Sequence, residues 1–152
     1  MKSQRIQITI HYRVFIPLPP EVVWDYTQNY DLRNQWDNSI SEASVLETDP
    51  HRVVRIKTKT NVILVFVFKL DDRPNKTSLS IRETNSKWII GGGGAWTYER
   101  ENGGTRWSQT NTLIFRASFV IRFLLPIIQL AFRLQVKSAM KNVVRHFDVI
   151  DN

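Results

Sequence analysis

The chain has 152 residues, of which 42% are hydrophobic, and it carries a formal net charge of +7 at neutral pH. This length predicts one domain over residues 1–152, and the apolar fraction excludes wholesale disorder. The chain has no cysteine, which excludes disulfides and thiolate chemistry and fits a reducing, cytoplasmic location. The excess of Lys and Arg favours either simple solubility or an anionic partner such as nucleic acid, anionic lipid or an acidic metabolite.

We expect no membrane-spanning segment in this chain. Residues 1–5 lack the apolar stretch of a signal peptide. The run 119–136 is very apolar, but Arg122 and Arg133 place charges within it, whereas a span needs ~20 residues nearly free of charge. Contact with a membrane surface stays open.

Residues 5–15 alternate between apolar and polar side chains, which is the period-two pattern of a half-buried strand, with Tyr12 on its apolar face. Pro20 and Glu21 are typical of a helix start, because the fixed φ of Pro and the negative charge of Glu both suit the first turn. This helix carries Trp24.

Asp31 is expected to cap a second short helix that carries Trp36. From there to residue 116 the chain is predicted to form a six-stranded meander with short turns. The predicted strands are 40–48, 51–59, 62–70, 76–84, 87–100 and 105–116.

Asn102-Gly103 favours a two-residue type I′ turn, which determines how the last two strands pair. Because opposed residues share a face, the aromatic residues of both strands are predicted to face inward, and Glu99 and Arg106 to form a charge pair outside. The predicted pairs are Glu101 with Gly104, Glu99 with Arg106, Tyr98 with Trp107, Trp96 with Gln109 and Gly94 with Asn111.

Asn85-Ser86 is interpreted in the same way, as a two-residue turn. The predicted inward pairs are Glu83 with Trp88, Ile81 with Ile90 and Leu79 with Gly92. At Thr60-Asn61 two alternatives stay open. A two-residue loop turns Ile63, Val65 and Val67 inward, and a three-residue loop turns Phe66 and Phe68 inward.

Gly91 to Gly94 is not a phosphate-binding loop, because it lacks the Lys-Ser/Thr of a P-loop and lies within a strand. Glycines within a strand indicate a bend or the close approach of another group. In the predicted register Gly92 and Gly94 face inward and leave room for a helix or a ligand.

The last third of the chain has the period of one long amphipathic helix, beginning near residue 118. Its apolar face comprises Phe132, Val136, Met140, Val143, Phe147 and Ile150. A basic stripe beside it comprises Arg133, Lys137, Lys141 and Arg145. Pro126 is expected to kink the helix or divide it in two, and the first piece, 119–125, to cover one end of the hollow in the sheet.

Catalytic and metal chemistry find little support in the sequence. His11, His51 and His146 are not spaced like metal ligands, so neither a metal nor a cofactor is predicted. No catalytic residue is assigned. Glu83 with Tyr98 or Tyr12 is kept as a hypothetical acid–base pair.

The order of these elements predicts an α+β helix-grip fold: a seven-stranded curved antiparallel sheet around a long C-terminal helix, with two short helices after strand one. Residues 17–47, "PLPPEVVWDYTQNYDLRNQWDNSISEASVLE", carry Val23-Trp24-Asp25 and Trp36. This stretch and the ending "FLLPIIQLAFRLQVKSAMKNVVRHFDVID" resemble the START-like superfamily of polyketide cyclases/dehydrases and lipid-transport proteins, also called SRPBCC. The resemblance covers nearly the whole chain.

The resemblance implies a cavity between sheet and helix that binds a hydrophobic or amphipathic small molecule, and it leaves transport of that molecule open. The alternative is a cyclase, dehydrase or aromatase that uses the same cavity, and a third is a partner-binding module with a filled core. The residues expected to bind the ligand are Tyr12, Trp24, Trp36, Ile81, Glu83, Ile90, Trp96, Tyr98, Trp107, Gln109, Asn111, Phe132, Val136 and Met140.

The polar members of this set, such as Glu83, Gln109 and Asn111, either contact the ligand's polar group or lie at a solvated rim. Because the aromatic residues are expected to face inward, base stacking and hence nucleic acid binding are not expected. The basic stripe favours peripheral contact with an anionic membrane. The oligomeric state is not predicted.

Overall fold

The computed structural model describes residues 4–150, and the side chains of residues 149 and 150, including the predicted core residue Ile150, lie outside this description. A seven-stranded antiparallel sheet has the order β1-β7-β6-β5-β4-β3-β2. The strands are β1 (Arg5–Ile16), β2 (Ile40–Glu47), β3 (Val53–Thr58), β4 (Ile63–Asp72), β5 (Lys76–Thr84), β6 (Ile89–Glu101) and β7 (Gly104–Arg116). The helices are α1 (Pro20–Thr27), a 3-10 turn (Tyr30–Leu32), α2 (Arg33–Trp36) and α3 (Phe119–Ile150).

The sheet curves around α3, so the predicted helix-grip fold is confirmed. The apolar face of α3, including Val136, Met140, Val143 and Phe147, is buried against the inner face of β1, β6 and β7. The helix begins at Phe119 and stays one helix through Pro126, so of the two alternatives at Pro126, a kink or a division, the division is wrong. Pro126 lacks the amide that would donate to the Arg122 carbonyl, and both residues are exposed.

The short helices connect β1 to β2 nearly as predicted. Helix α1 begins at Pro20 and carries Glu21 in its first turn. The cap of the following turn is Asn29, whose side-chain oxygen accepts a hydrogen bond from the Asp31 amide at 3.1 Å. Asp31 is therefore not the cap, because the chain enters the turn two residues earlier than predicted.

The β6–β7 hairpin contains all five predicted pairs, and its register shifts only at a bulge between Ile89 and Gly91. Both turn residues have positive φ, 49° at Asn102 and 78° at Gly103, as a type I′ turn requires. Trp96, Tyr98 and Trp107 are buried on the inner face. The predicted charge pair is wrong in its partner, because the guanidinium of Arg106 pairs with Glu101 rather than with the opposed Glu99.

The predicted β5–β6 register is wrong by two residues, because Leu79 pairs with Gly94 and not with Gly92. The Ser86 hydroxyl accepts hydrogen bonds from the amides of Trp88 and Ile89, at 3.2 and 3.1 Å, which builds a four-residue loop instead of a two-residue turn. The side chain thus competes with the hairpin geometry that the dipeptide suggests.

The structure resolves the alternatives at the β3–β4 turn. The Thr58 amide donates to the Val62 carbonyl at 2.9 Å, which encloses a three-residue loop with Asn61 at a φ of 64°. Phe66 consequently pairs with Val54, and both Phe66 and Phe68 face inward. Phe68 is completely buried in a second core cluster.

The glycine segment of β6 lets the backbones of neighbouring strands approach closely. A Cβ on Gly93 would lie 2.2 Å from the Leu79 carbonyl oxygen of β5. A Cβ on Gly92, at a φ of 143°, would lie 2.3 Å from the Thr112 carbonyl oxygen of β7. The groups that exclude side chains here are therefore the adjacent strands, and the sheet can bend at this point.

We predict that Gly93→Ala lowers the free energy of unfolding by about 2–3 kcal/mol, because the added methyl group meets rigid backbone on β5. Gly91→Ala is the matched control, since its Cβ would meet only the Ile114 side chain at 3.6 Å. Urea unfolding of both variants measures the difference. Equal destabilisation by the two substitutions would contradict the close-approach explanation.

Candidate functional site

A cavity of about 440 Å³ lies between the inner face of the sheet, α2 and α3. Apolar side chains form most of its wall. They are Tyr30, Trp36, Ile40, Ile56, Val62, Leu64, Phe66, Leu79, Ile89, Trp96, Leu113, Phe132, Val136 and Ala139. Lys59 and Thr60, in the β3–β4 turn, are exposed and belong to the same wall, so the cavity reaches solvent at this turn.

Six of the residues expected from the sequence lie on this wall, and they come from four different elements. These six are Trp36, Trp96, Gln109, Asn111, Phe132 and Val136. The other eight lie elsewhere. Trp24, Tyr98, Trp107 and Met140 are buried in the core at the closed end of the hollow, where Tyr12 also packs. Whether the six contact a ligand stays a prediction.

Ile81, Glu83 and Ile90 do not line the cavity. Strand β5 leaves β6 after Ser80, and a bulge then pairs Glu83 with Val65 on the outer face of the sheet. Glu83 is exposed and lies 3.7 Å from Arg82, and Ile90 is also exposed. Ile90 is the extra residue of a bulge between β6 and β7. The expected ligand contacts of all three residues are therefore absent from the cavity wall, and Glu83 is removed from the hypothetical acid–base pair.

The inner end of the cavity is closed by three tryptophans in mutual edge-to-face contact. Ring centroids are 6.2 Å apart for Trp36 and Trp96, 5.8 Å for Trp36 and Trp107, and 5.6 Å for Trp96 and Trp107. Such contacts stabilise beyond the simple burial of area, by about 0.5–1.5 kcal/mol per pair. They attach α2 to the β6–β7 hairpin.

Arg33 lies over this tryptophan cluster, and the sequence analysis did not predict it as a residue of the site. Its guanidinium carbon is 4.4 Å from the centroid of Trp36 and 4.9 Å from that of Trp96. Its Nη2 donates to Asp37 Oδ2 at 3.1 Å, and both residues are buried and line the cavity. Arg at position i and Asp at i+4 indicate a helical ion pair, but such pairs are usually solvated.

Both carboxylate oxygens of Asp37 accept hydrogen bonds from neighbouring residues. The Ser39 hydroxyl donates to Oδ1 at 2.6 Å and the Ser39 amide at 3.1 Å. Gln135 Nε2, from α3, lies 3.1 and 3.2 Å from the two oxygens. Helix α2, the following turn and α3 are thus joined through one buried carboxylate.

The profile of one protein family, described as "Polyketide cyclase / dehydrase and lipid transport", matches residues 7–148. The chain belongs to this family. No curated protein sequence matches the chain closely enough to count as a relative. Solved structures at low sequence identity nevertheless share its fold.

Three solved structures illustrate the shared fold of the polyketide cyclase/dehydrase and lipid-transport family. TTHA0849 from Thermus thermophilus has 17% identity, a TM-score of 0.81 and coverage of 95% of this chain and 99% of its own. The Zhui aromatase/cyclase from a Streptomyces species has 13% identity, a TM-score of 0.78 and 94% coverage of both chains. A START superfamily protein from Mycobacterium smegmatis has 7% identity, a TM-score of 0.75 and coverage of 93% and 98%.

In this family member the polar groups of the β7 wall form a directed chain. Trp96 Nε1 donates to Asn111 Oδ1 at 3.1 Å, and Asn111 Nδ2 donates to Gln109 Oε1 at 2.8 Å. Gln109 Nε2 is therefore the free end of the chain. Gln109 is buried, so it does not lie at a solvated rim.

Arg33, Trp36 and Gln109 line the cavity, and each has one buried donor atom with no hydrogen-bond partner among the described residues. These atoms are Arg33 Nε, Trp36 Nε1 and Gln109 Nε2. All three can only donate. Leaving a buried donor unpaired costs about 1–3 kcal/mol, so the wall is suited to a guest that brings acceptor atoms.

Tyr98 is not available to such a guest. Gln28 Nε2 donates to its hydroxyl at 2.9 Å, and Thr27 donates its own proton to the Val23 carbonyl at 2.8 Å. The Tyr98 hydroxyl therefore donates to Thr27 Oγ1, which lies 2.7 Å away. Burial raises the pKa of Tyr98 far above the ordinary value, so the phenol stays protonated. These bonds hold α1 against β6.

We predict that Tyr98→Phe lowers the free energy of unfolding by about 1–2 kcal/mol, because Gln28 loses its acceptor. The raised pKa adds stability that is fully present below the unfolded pKa of about 10 and is lost as the pH rises towards the folded pKa. The stability of the variant should therefore fall less steeply above pH 10 than that of the wild type. Identical alkaline slopes in chemical unfolding would contradict this assignment.

The buried and exposed ion pairs give a second prediction. Asp37→Ala leaves Arg33 charged and unpaired in the interior, and we expect it to cost about 3–5 kcal/mol. Asp25→Ala, which breaks an exposed pair with Arg73 at 2.8 Å, should have a much smaller effect, because water screens the two charges. Thermal and urea unfolding compare the two, and equal losses would show that Asp37 has no special structural role.

Within the described residues, no group of three or more His, Cys, Asp or Glu side chains is arranged to hold a metal ion. His11 lies on the outer face, where its Nδ1 is 2.9 Å from the Thr110 hydroxyl oxygen. His146 stacks on Tyr26 with ring centroids 4.1 Å apart. Neither residue lines the cavity.

Proposed function

We propose that this protein binds a hydrophobic or amphipathic small molecule in the cavity and that the bound molecule presents hydrogen-bond acceptors to the wall. The observation that carries the proposal is the set of three unpaired donors on an otherwise mostly apolar wall. The volume of about 440 Å³ lies within the range of ligand pockets. Membership of the family supports the same conclusion.

The preferred acceptor is electrically neutral. Arg33 is the buried cation of the wall, and Asp37 already compensates its charge at 3.1 Å. A ligand carboxylate would add an uncompensated negative charge beside Asp37, at a high desolvation cost. Carbonyl or hydroxyl oxygens on an apolar body satisfy Arg33 Nε, Trp36 Nε1 and Gln109 Nε2 without that cost.

Binding without covalent change is favoured over catalysis. Asp37 is the one carboxylate of the wall among the described residues, and its two oxygens accept hydrogen bonds from Arg33, Ser39 and Gln135. A general base needs a free lone pair within reach of the substrate proton. Among the described residues the wall has no histidine and no second carboxylate, so its amide and hydroxyl groups position a ligand but do not remove a proton.

The alternative is a cyclase, dehydrase or aromatase that uses the same cavity. One observation favours it: Arg33, Trp36 and Gln109 of the wall each have an unpaired N–H donor, and such donors stabilise negative charge that develops on a carbonyl oxygen. Incubation with a linear poly-β-ketone thioester, followed by mass spectrometry of the products, tests this alternative. Cyclised or dehydrated product above the buffer rate would favour the enzyme, and unchanged thioester would favour the carrier.

We predict that the protein binds 1,4-naphthoquinone about tenfold or more tightly than naphthalene, because only the quinone has carbonyl acceptors for the unpaired donors. Quenching of tryptophan fluorescence measures both affinities, since Trp36 and Trp96 line the cavity. Gln109→Leu should reduce the preference for the quinone.

The matched control is Ser108→Ala, on the neighbouring outward-facing position of β7, which should leave the preference unchanged. Equal affinity of the wild type for both molecules would overturn the role of the donors. Native mass spectrometry of freshly purified protein, with organic extraction, would then identify any molecule that co-purifies.

A cytoplasmic location stays a prediction from the lack of cysteine.

A further inference from the structure

The outer face of α3 divides into an apolar half and a basic half. Six apolar side chains of the first half are exposed, and Phe119 and Phe123 are the extremes at 85% and 75%. The others are Val120, Ile127, Leu130 and Leu134. At about 100° per residue, all six fall within an arc of about 100°, along about 23 Å of helix. We call this surface the apolar ridge. The expectation that residues 119–125 would cover the hollow is therefore wrong for Phe119 and Phe123.

The same arc continues as a basic surface. Lys137, Lys141 and Arg145 follow the apolar ridge along the helix, on the face opposite the buried Val136 and Val143. No acidic residue occurs between Glu101 and Asp148. By length and composition helix α3 is apolar enough to cross a membrane, but its inner face is part of the protein core.

An exposed tryptophan lies beside the start of the apolar ridge. The Trp88 carbonyl accepts a hydrogen bond from the Arg116 amide at 2.8 Å, three residues before α3 begins. Lys87 lies over the Trp88 ring at 5.2 Å. Of the five tryptophans, all within the described residues, only Trp88 is exposed. Trp and Lys are the residue types that settle at the boundary between lipid and water.

We propose that the apolar ridge and Trp88 dock this protein on an anionic lipid bilayer. Helix α3 then lies at the interface with its N-terminal half in the acyl-chain region and Lys137, Lys141 and Arg145 at the lipid phosphates. An anionic bilayer suits both halves of the arc at once, because it offers hydrocarbon and negative charge a few ångströms apart.

A second copy of the chain does not suit this face. A parallel pairing would bring Lys137, Lys141 and Arg145 against the same three cations. An antiparallel pairing would set the basic half of one copy against the apolar ridge of the other. The lack of acid on α3 before Asp148 leaves nothing to compensate these charges.

Docking also places the mouth of the cavity near the bilayer. The mouth is at the β3–β4 turn, where Lys59 and Thr60 lie on the wall. Asn85 Nδ2 donates to the Asn61 carbonyl at 3.0 Å, and this connects the turn to the loop that carries Trp88. This coupling to ligand exchange rests on the proposed function, whereas the docking itself rests on the surface alone.

Vesicle flotation tests the docking, with phosphatidylcholine vesicles and with vesicles that also contain about 30% phosphatidylglycerol. The protein should float with the anionic vesicles, and Phe119→Ser/Phe123→Ser should weaken this binding at least about tenfold. Val45→Ser/Leu46→Ser, which changes two exposed apolar residues on β2, is the control and should bind like the wild type.

Lipids brominated in their acyl chains provide an independent readout. They should quench Trp88, and Trp88→Phe should abolish the quenching because the other four tryptophans are buried. Equal binding to neutral and anionic vesicles would overturn the proposal. So would a dimer in sedimentation that Phe119→Ser/Phe123→Ser dissociates, since a second copy would then cover the ridge. Naphthoquinone binding by the same variant separates these results from the proposed function, which does not depend on the ridge.

Discussion

The packing of Trp36 against Trp96 and Trp107 is the contact on which the shape of the interior depends. Trp36 belongs to the short α2, whereas the other two project from the β6–β7 hairpin, so the cluster joins segments far apart in sequence. Because the indoles fill one end of the hollow, that end is a solid core. The sheet continues past them, and the space between β3, β4 and the middle of α3 stays unfilled.

Buried polar side chains lie at the boundary between the tryptophan-filled end of the hollow and the open cavity. Arg33 lies over two indoles of the cluster, and Asp37 holds it there while accepting from Ser39 and Gln135. A buried ion pair is costly to desolvate, and this one is supported by several hydrogen bonds. The result is a buried ion pair whose two charges compensate each other beside a mostly apolar cavity.

Helix α3 serves two surfaces at once. Its inner side supplies Phe132, Gln135 and Val136 to the cavity and Met140 and Val143 to the core. Its outer side carries the apolar ridge and then the basic residues. The cavity wall and the apolar ridge are therefore on opposite faces of one helix.

Sequence by itself determined the features that depend on neighbours along the chain. The period-two alternation and the Asn102-Gly103 turn were sufficient for the β6–β7 register, because a type I′ turn needs only residues that tolerate positive φ. The helical period gave the buried face of α3 for the same local reason. The β5–β6 register was predicted wrongly. The Ser86 hydroxyl accepts hydrogen bonds from the Trp88 and Ile89 amides, which a two-residue hairpin would place in strand β6.

Tertiary structure alone decided that Arg33 and Asp37 belong to the candidate site and that Glu83 does not. Burial of Arg33 and Asp37 arises only when the tryptophans and α3 close over them, and an Arg–Asp spacing of four is equally typical of a solvated helix. The inward orientation of Phe66 depends on one residue of loop length, and the outward orientation of Glu83 on a bulge. The exposure of Phe119 and Phe123 depends on how far the sheet extends along α3. The sequence pattern shows which side chains are apolar, whereas the folded sheet determines which of them are buried.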